Sequence, residues 1–267
     1  MGTAASGDAF GRAQVATYPD AVPDADQTVT APEHGVPVRW GMGDAAVGWL
    51  VGLLGGAIAF SVVVAASGTD ADDLDSLPLG WVAVAQLGLW VGLLGAPYLA
   101  ARFKGNGMRQ DFGLTARLHD LWVGAWWGFV GQFAIIWIVY LPLQWLTDVS
   151  SEEFAEPAQE MADKATGAVG VVLLVLIVGI GAPIVEEIFY RGLVQRSLIR
   201  RFGPGWGIAG ASVLFGAAHL QLLQFPALTL AGALFGVLAY RADRLGPAIV
   251  AHVMFNMTAV VTLLASS

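Results

Sequence analysis

The chain has 267 residues, of which 56% are hydrophobic and only 13% charged, with a net charge of −8 and a mean hydropathy of +0.65. Soluble domains carry about a quarter charged residues, so this composition excludes an ordinary water-soluble fold and points to a chain embedded in lipid. It contains no cysteine, which excludes disulfides, thiolate-held metals and cysteine nucleophiles. No nucleic-acid partner is expected.

Residues 1–40 are polar, contain proline and lack periodicity, the pattern of a disordered tail. No apolar core of a signal peptide occurs before residue 45. The opening MGTAAS fits an N-myristoylation pattern too short to carry weight. Residues 41–267 are expected to form one membrane domain. Ala45–Ser67, Leu79–Ala101, Leu121–Leu146 and Ala165–Val185 are uncharged, and about 20 apolar residues suffice to span a bilayer as a helix. Three shorter apolar runs follow: Gly205–Ala218, Phe225–Tyr240 and Gly246–Ala265. Uninterrupted apolar runs do not fit the alternating strands of a barrel. The expected fold is therefore all-α, a polytopic transmembrane helical bundle of about seven membrane helices. Gly232 and Gly236 form a GxxxG pair suited to close helix packing.

Charge orients the bundle. Ten of the thirteen basic residues fall in alternate loops, after the second, fourth and sixth runs. The loops GTDADDLDSLP and TDVSSEEFAEPAQEMADK hold ten acids and one lysine. The positive-inside rule puts the basic loops and the N-terminus in the cytoplasm, as expected for a multi-pass protein of a prokaryotic plasma membrane.

The polar residues within or bordering the apolar runs are the candidates for chemistry, because ionisable groups in hydrocarbon are costly. They are Glu186, Glu187, Arg191, His219 and His252, with Asn256 as the most notable neutral addition. They lie in EEIFYR, FGAAH and HVMFN, and each piece holds an i, i+4 pair that shares one helix face. Glu186 and Glu187 point about 100° apart, so Glu187 can pair with Arg191 while Glu186 has no local partner. Taken singly, Glu187–Arg191 reads as a structural ion pair, His219 as an interhelical donor, Phe215 as packing and Asn256 as helix glue. Together they supply a carboxylate, two imidazoles and a carboxamide, which suffice to activate water and stabilise an oxyanion. Glu186, His219 and His252 can also be read as a His₂Glu zinc set, although no HExxH is present. A proton-coupled transporter using Glu186 is a further alternative, without the internal repeats usual in that class.

In order, EExxxR, FxxxH and HxxxN resemble the CPBP family, the type II CAAX prenyl endopeptidases and bacteriocin-processing or immunity (Abi) proteins. The resemblance covers roughly residues 80–264. It implies an all-helical membrane bundle and a glutamate-dependent intramembrane endopeptidase; no cofactor is expected, with metal dependence left open by the zinc reading above. It implies that Glu186 activates the attacking water and His219 assists it. Glu187 and Arg191 then support the site, and His252 and Asn256 form the oxyanion hole. The implied partners are the lipid bilayer and a peptide or protein substrate, lipid-modified in the CAAX case. A non-enzymatic immunity or scaffold member of the same fold is the remaining alternative.

One geometric difficulty has a sequence-level solution. His219 lies fifteen residues after Pro204, about 22 Å along a continuous helix, far from Glu186 if that helix starts at the membrane surface. Gly203-Pro204 is a turn signal, and Glu187 and His219 each stand sixteen residues from Gly203. An antiparallel hairpin about Gly203 is therefore expected.

Overall fold

The computed structural model describes residues 37–70, 73 and 76–266. The expected tail and the MGTAAS pattern fall almost wholly outside them. The described residues are mostly helical and contain no strand. The helices are α1 (Met42–Ser67), α2 (Leu79–Lys104), α3 (Met108–Phe112), α4 (Leu118–Thr147), α5 (Ser151–Asp163), α6 (Gly167–Leu174), α7 (Ala182–Glu186), α8 (Arg196–Ala218), α9 (Phe225–Ala242) and α10 (Gly246–Ser266). Two π-helical stretches, π1 (Val175–Gly181) and π2 (Glu187–Gln195), flank α7.

All seven expected runs are helical. The fourth and fifth join into one run, Gly167–Ala218, so six helices among the described residues are long and apolar enough to cross a membrane. Their outward faces carry large apolar side chains, including Leu50, Ile58, Val91 and Trp137, and Trp145 is 90% exposed. In water this surface would far exceed the apolar patches of a soluble monomer, whereas in hydrocarbon it is ordinary.

Because lipid supplies no hydrophobic force between helices, they associate through close packing. Glycine provides it here. A Cβ on Gly92 of α2 would lie 2.2 Å from the Gly52 nitrogen of α1, and one on Gly128 of α4 would lie 2.2 Å from the Ala251 carbonyl of α10. The α4 contact seats α10, and with it His252, against the bundle. At the opposite pole Ser150 caps α5: its hydroxyl accepts from the Glu153 nitrogen at 3.1 Å, and the Glu153 carboxylate accepts from the Ser150 nitrogen at 2.9 Å.

The basic end of the bundle is tied by polar contacts. Arg244 donates to both oxygens of buried Asp120, at 2.9 and 2.5 Å, joining α4 to the α9–α10 turn. Trp40, at the end of the tail expected from sequence, belongs instead to the bundle and is 5% exposed. Its ring packs on Phe112 at 4.7 Å, while Arg200 lies over it at 3.6 Å and donates to its carbonyl. The packed region thus begins a few residues before α1.

The hairpin forms within α8. Gly203 has φ 78° and ψ 171°, a left-handed value that favours glycine, and Pro204 follows it. A Cβ on Gly207 would lie 2.6 Å from the Ile199 nitrogen, and both residues are four positions from Gly203. The Arg191 guanidinium lies over the Phe215 ring at 4.6 Å, and both are twelve positions from Gly203. This register brings His219 toward the level of Glu187. Helix α9 runs antiparallel to the returning arm, since Gly236 faces Ile208 and Gly232 faces Ser212 and Phe215.

Candidate active site

The six expected residues lie on α7, π2, the end of α8 and α10, elements that contacts of His252 with Glu187 and Phe215 tie together. All nine residues of π2 are buried. Glu186 ends α7 and Glu187 begins π2, so the adjacent carboxylates sit at a change of helical register. A π-helix hydrogen-bonds i to i+5, and such stretches occur frequently at functional sites.

Glu187 and Arg191 are 0% and 1% exposed. Arg191 Nε lies 3.2 Å from Glu187 Oε2, and Arg191 Nη2 donates to the Gly232 carbonyl at 3.2 Å. Its guanidinium also lies 4.6 Å from the Phe215 ring centre and 5.7 Å from that of Phe235. A buried charge needs such compensation. The other Glu187 oxygen accepts from His252 Nδ1 at 2.9 Å. A carboxylate cannot donate, so this contact places a proton on Nδ1.

His252 Nε2 then faces Glu186 Oε2 at 3.8 Å. Glu186 is less enclosed than Glu187, with a side chain 16% exposed. The ring of His252 is sandwiched by apolar walls: Phe235 stacks on it at 4.5 Å and 20°, and Phe215 meets it edge-on at 5.6 Å. Arg191, Glu187, His252 and Glu186 therefore form one continuous chain, with Glu186 at its open end.

His219 approaches from the α8 hairpin. Its Nδ1 donates to the Phe215 carbonyl at 2.8 Å and its ring contacts that of Phe215 at 4.9 Å. With Nδ1 protonated, the neutral imidazole keeps Nε2 as a proton acceptor. Phe215 touches both imidazoles, so a residue that reads as packing in the sequence spaces the two. Asn256, one turn beyond His252, donates from Nδ2 to the Val178 carbonyl of π1 at 2.9 Å. Among the described residues no group of three or more His, Asp or Glu side chains converges as a metal-ligand set.

Two supporting features escape a motif search. Gln195 is 2% exposed and donates to the Gly236 carbonyl at 3.0 Å, extending the Glu187–Arg191 series by four residues. Gly232 and Gly236, the GxxxG pair, thus offer carbonyls to Arg191 and Gln195 besides allowing close approach. The i+4 spacing after Arg191 was the available signal for Gln195. Phe235 carried none, being one aromatic among many.

Comparison with known proteins assigns this region. Residues 168–258 match the model of the family described as type II CAAX prenyl endopeptidase Rce1-like. This segment is similar to the CAAX protease family. The matched stretch contains all six candidate residues and runs from α6 into α10, leaving α1 to α5 outside it. It is shorter than the roughly 80–264 over which the sequence resembles the family. The CAAX protease match implies a protease in a multi-pass membrane protein. No curated protein and no solved structure gives a significant match.

Proposed function

We propose that the chain is an intramembrane endopeptidase in which Glu186 activates the water that attacks a peptide carbonyl. The observation that carries this reading is the chain of contacts from Arg191 through Glu187 and His252 to the partly accessible Glu186. Glu186 takes a proton from water as the oxygen attacks the carbonyl carbon. The tetrahedral oxyanion that forms is stabilised by hydrogen-bond donors. The C–N bond then breaks, and the departing amine takes up the proton that Glu186 removed from water, either directly or relayed through His219 Nε2. The geometry favours one shift from the roles that the resemblance implies. With Nδ1 on Glu187 and Nε2 facing Glu186, His252 orients the base, and Asn256 supplies the oxyanion donor.

The substrate class is a peptide or protein, lipid-modified at a cysteine in the CAAX case. The test is cleavage of a fluorogenic peptide, with and without a lipidated cysteine, by the purified protein in detergent. Cleavage that survives chelators supports the metal-free reading; loss on chelation and recovery with zinc support the His₂Glu alternative. Proton-linked uptake without cleavage, or no activity of either kind, favours the transporter or the scaffold.

The site opens toward the cytoplasm in this proposal, since the basic loops border the hairpin. Single cysteines are uniquely addressable in this chain, which has none. Those replacing Arg109, Arg201 or Asp243 should react with an impermeant reagent only from the cytoplasmic side. Labelling of Asp70→Cys or Glu152→Cys from that same side overturns the orientation.

A further inference from the structure

Resting on that reading, we propose that Pro183 is a positioning residue: it leaves the Val178 carbonyl without a helical donor, and that carbonyl orients Asn256 toward the oxyanion. In π1 the backbone bonds reach five residues back, and the Ala182 nitrogen donates to the Ile177 carbonyl. The next donor in that register would be residue 183, and its acceptor would be Val178. Residue 183 is proline, which has no N–H. A carbonyl left open at membrane depth must be satisfied by another group. Here the donor comes from another helix, seventy-eight residues away: Asn256 Nδ2 at 2.9 Å.

This bond has a consequence for the side chain. A carboxamide presents either its oxygen or its NH₂ group to a neighbour, and a carbonyl accepts only from the NH₂. The Val178 oxygen therefore sets the amide orientation and uses one of the two N–H groups. The other remains on the same nitrogen, one helical turn beyond His252, on a residue that is half-buried rather than fully enclosed. Asn256 then acts with a fixed donor rather than a rotating one, which is the preorganisation that oxyanion stabilisation requires. A role as helix glue alone would need the first N–H and no more.

The test restores the missing donor. In Pro183→Ala the new N–H competes for Val178 and releases Asn256. On the fluorogenic peptide, kcat should fall roughly 10- to 100-fold, less than removing an oxyanion donor outright, with KM within about twofold and no loss of thermal stability. Asn256→Ala should then cost much less on the Pro183→Ala background than on the wild type. An unchanged kcat, or the same cost of Asn256→Ala on both backgrounds, overturns the proposal. Pro183→Ser, which also restores the N–H, serves if Pro183→Ala does not fold. If neither folds, Asn256→Ala decides: a folded fraction with undiminished kcat refutes the positioning role. Should Glu186→Gln leave cleavage intact, the underlying reading fails. If Glu186→Gln abolishes cleavage while Pro183→Ala leaves kcat intact, only the positioning fails.

Discussion

Glu186→Gln should lower peptide cleavage by roughly 10²–10⁴-fold, the usual worth of a general base, and leave the protein folded. Glutamine keeps the size and polarity of the side chain but cannot accept a proton from water. The loss should lie in the chemistry because glutamine fills the same space and, among the described residues, no hydrogen bond of the Glu186 carboxylate holds the fold. Its side chain is 16% exposed and its approach to His252, at 3.8 Å, is longer than a hydrogen bond. The measurements are steady-state cleavage and a thermal melt in detergent. Cleavage at the wild-type rate would refute the role of Glu186, whatever the melt gave.

Glu187→Ala should do the opposite to the balance of stability and chemistry. Arg191 would keep the Gly232 carbonyl and its two aromatic neighbours but lose its carboxylate partner at 3.2 Å. Removing one member of a buried ion pair costs about 3–5 kcal/mol, because the stranded charge stays in an apolar site. His252 would at the same time lose the acceptor that holds Nδ1 at 2.9 Å. The expected result is a clear fall in melting temperature, with activity lost in the same preparation. Glu187→Gln, which can still accept from His252, should fall between the two. If Glu187→Ala melts with the wild type, the Glu187–Arg191 pair does not hold the site together.

The contrast between these adjacent glutamates is partly legible in the sequence. Arg191 stands four residues after Glu187, and no comparable partner follows Glu186. An i, i+4 relation is local and survives whatever the rest of the chain does. The same holds for the helical runs, the alternating loop charges and the Gly203-Pro204 turn. Each depends on neighbours in sequence, on hydrocarbon thickness or on the φ that glycine alone adopts freely. The hairpin could therefore be expected, and the structure forms it with matching positions on either side of Gly203.

What each face meets could not be read in that way. His252 bridges the two glutamates, and Asn256 answers a carbonyl seventy-eight residues away. Gln195 finds Gly236, and Arg200 closes on Trp40 across 160 residues. Hydropathy is blind to these pairings because many rotations of an apolar helix bury equal area in lipid or in protein. The choice among them falls to close packing at glycines such as Gly92 and Gly128, and to polar groups that must find partners. The π-helical stretches add a further shift of register, one that no periodicity of apolar residues records. By itself the sequence determined that this is a helical membrane protein, which residues are costly enough to have a purpose, and which lie on one helix face. Only the tertiary structure decided which imidazole nitrogen faces which carboxylate, since that depends on the rotation and depth of helices whose contacts are made far apart in the chain.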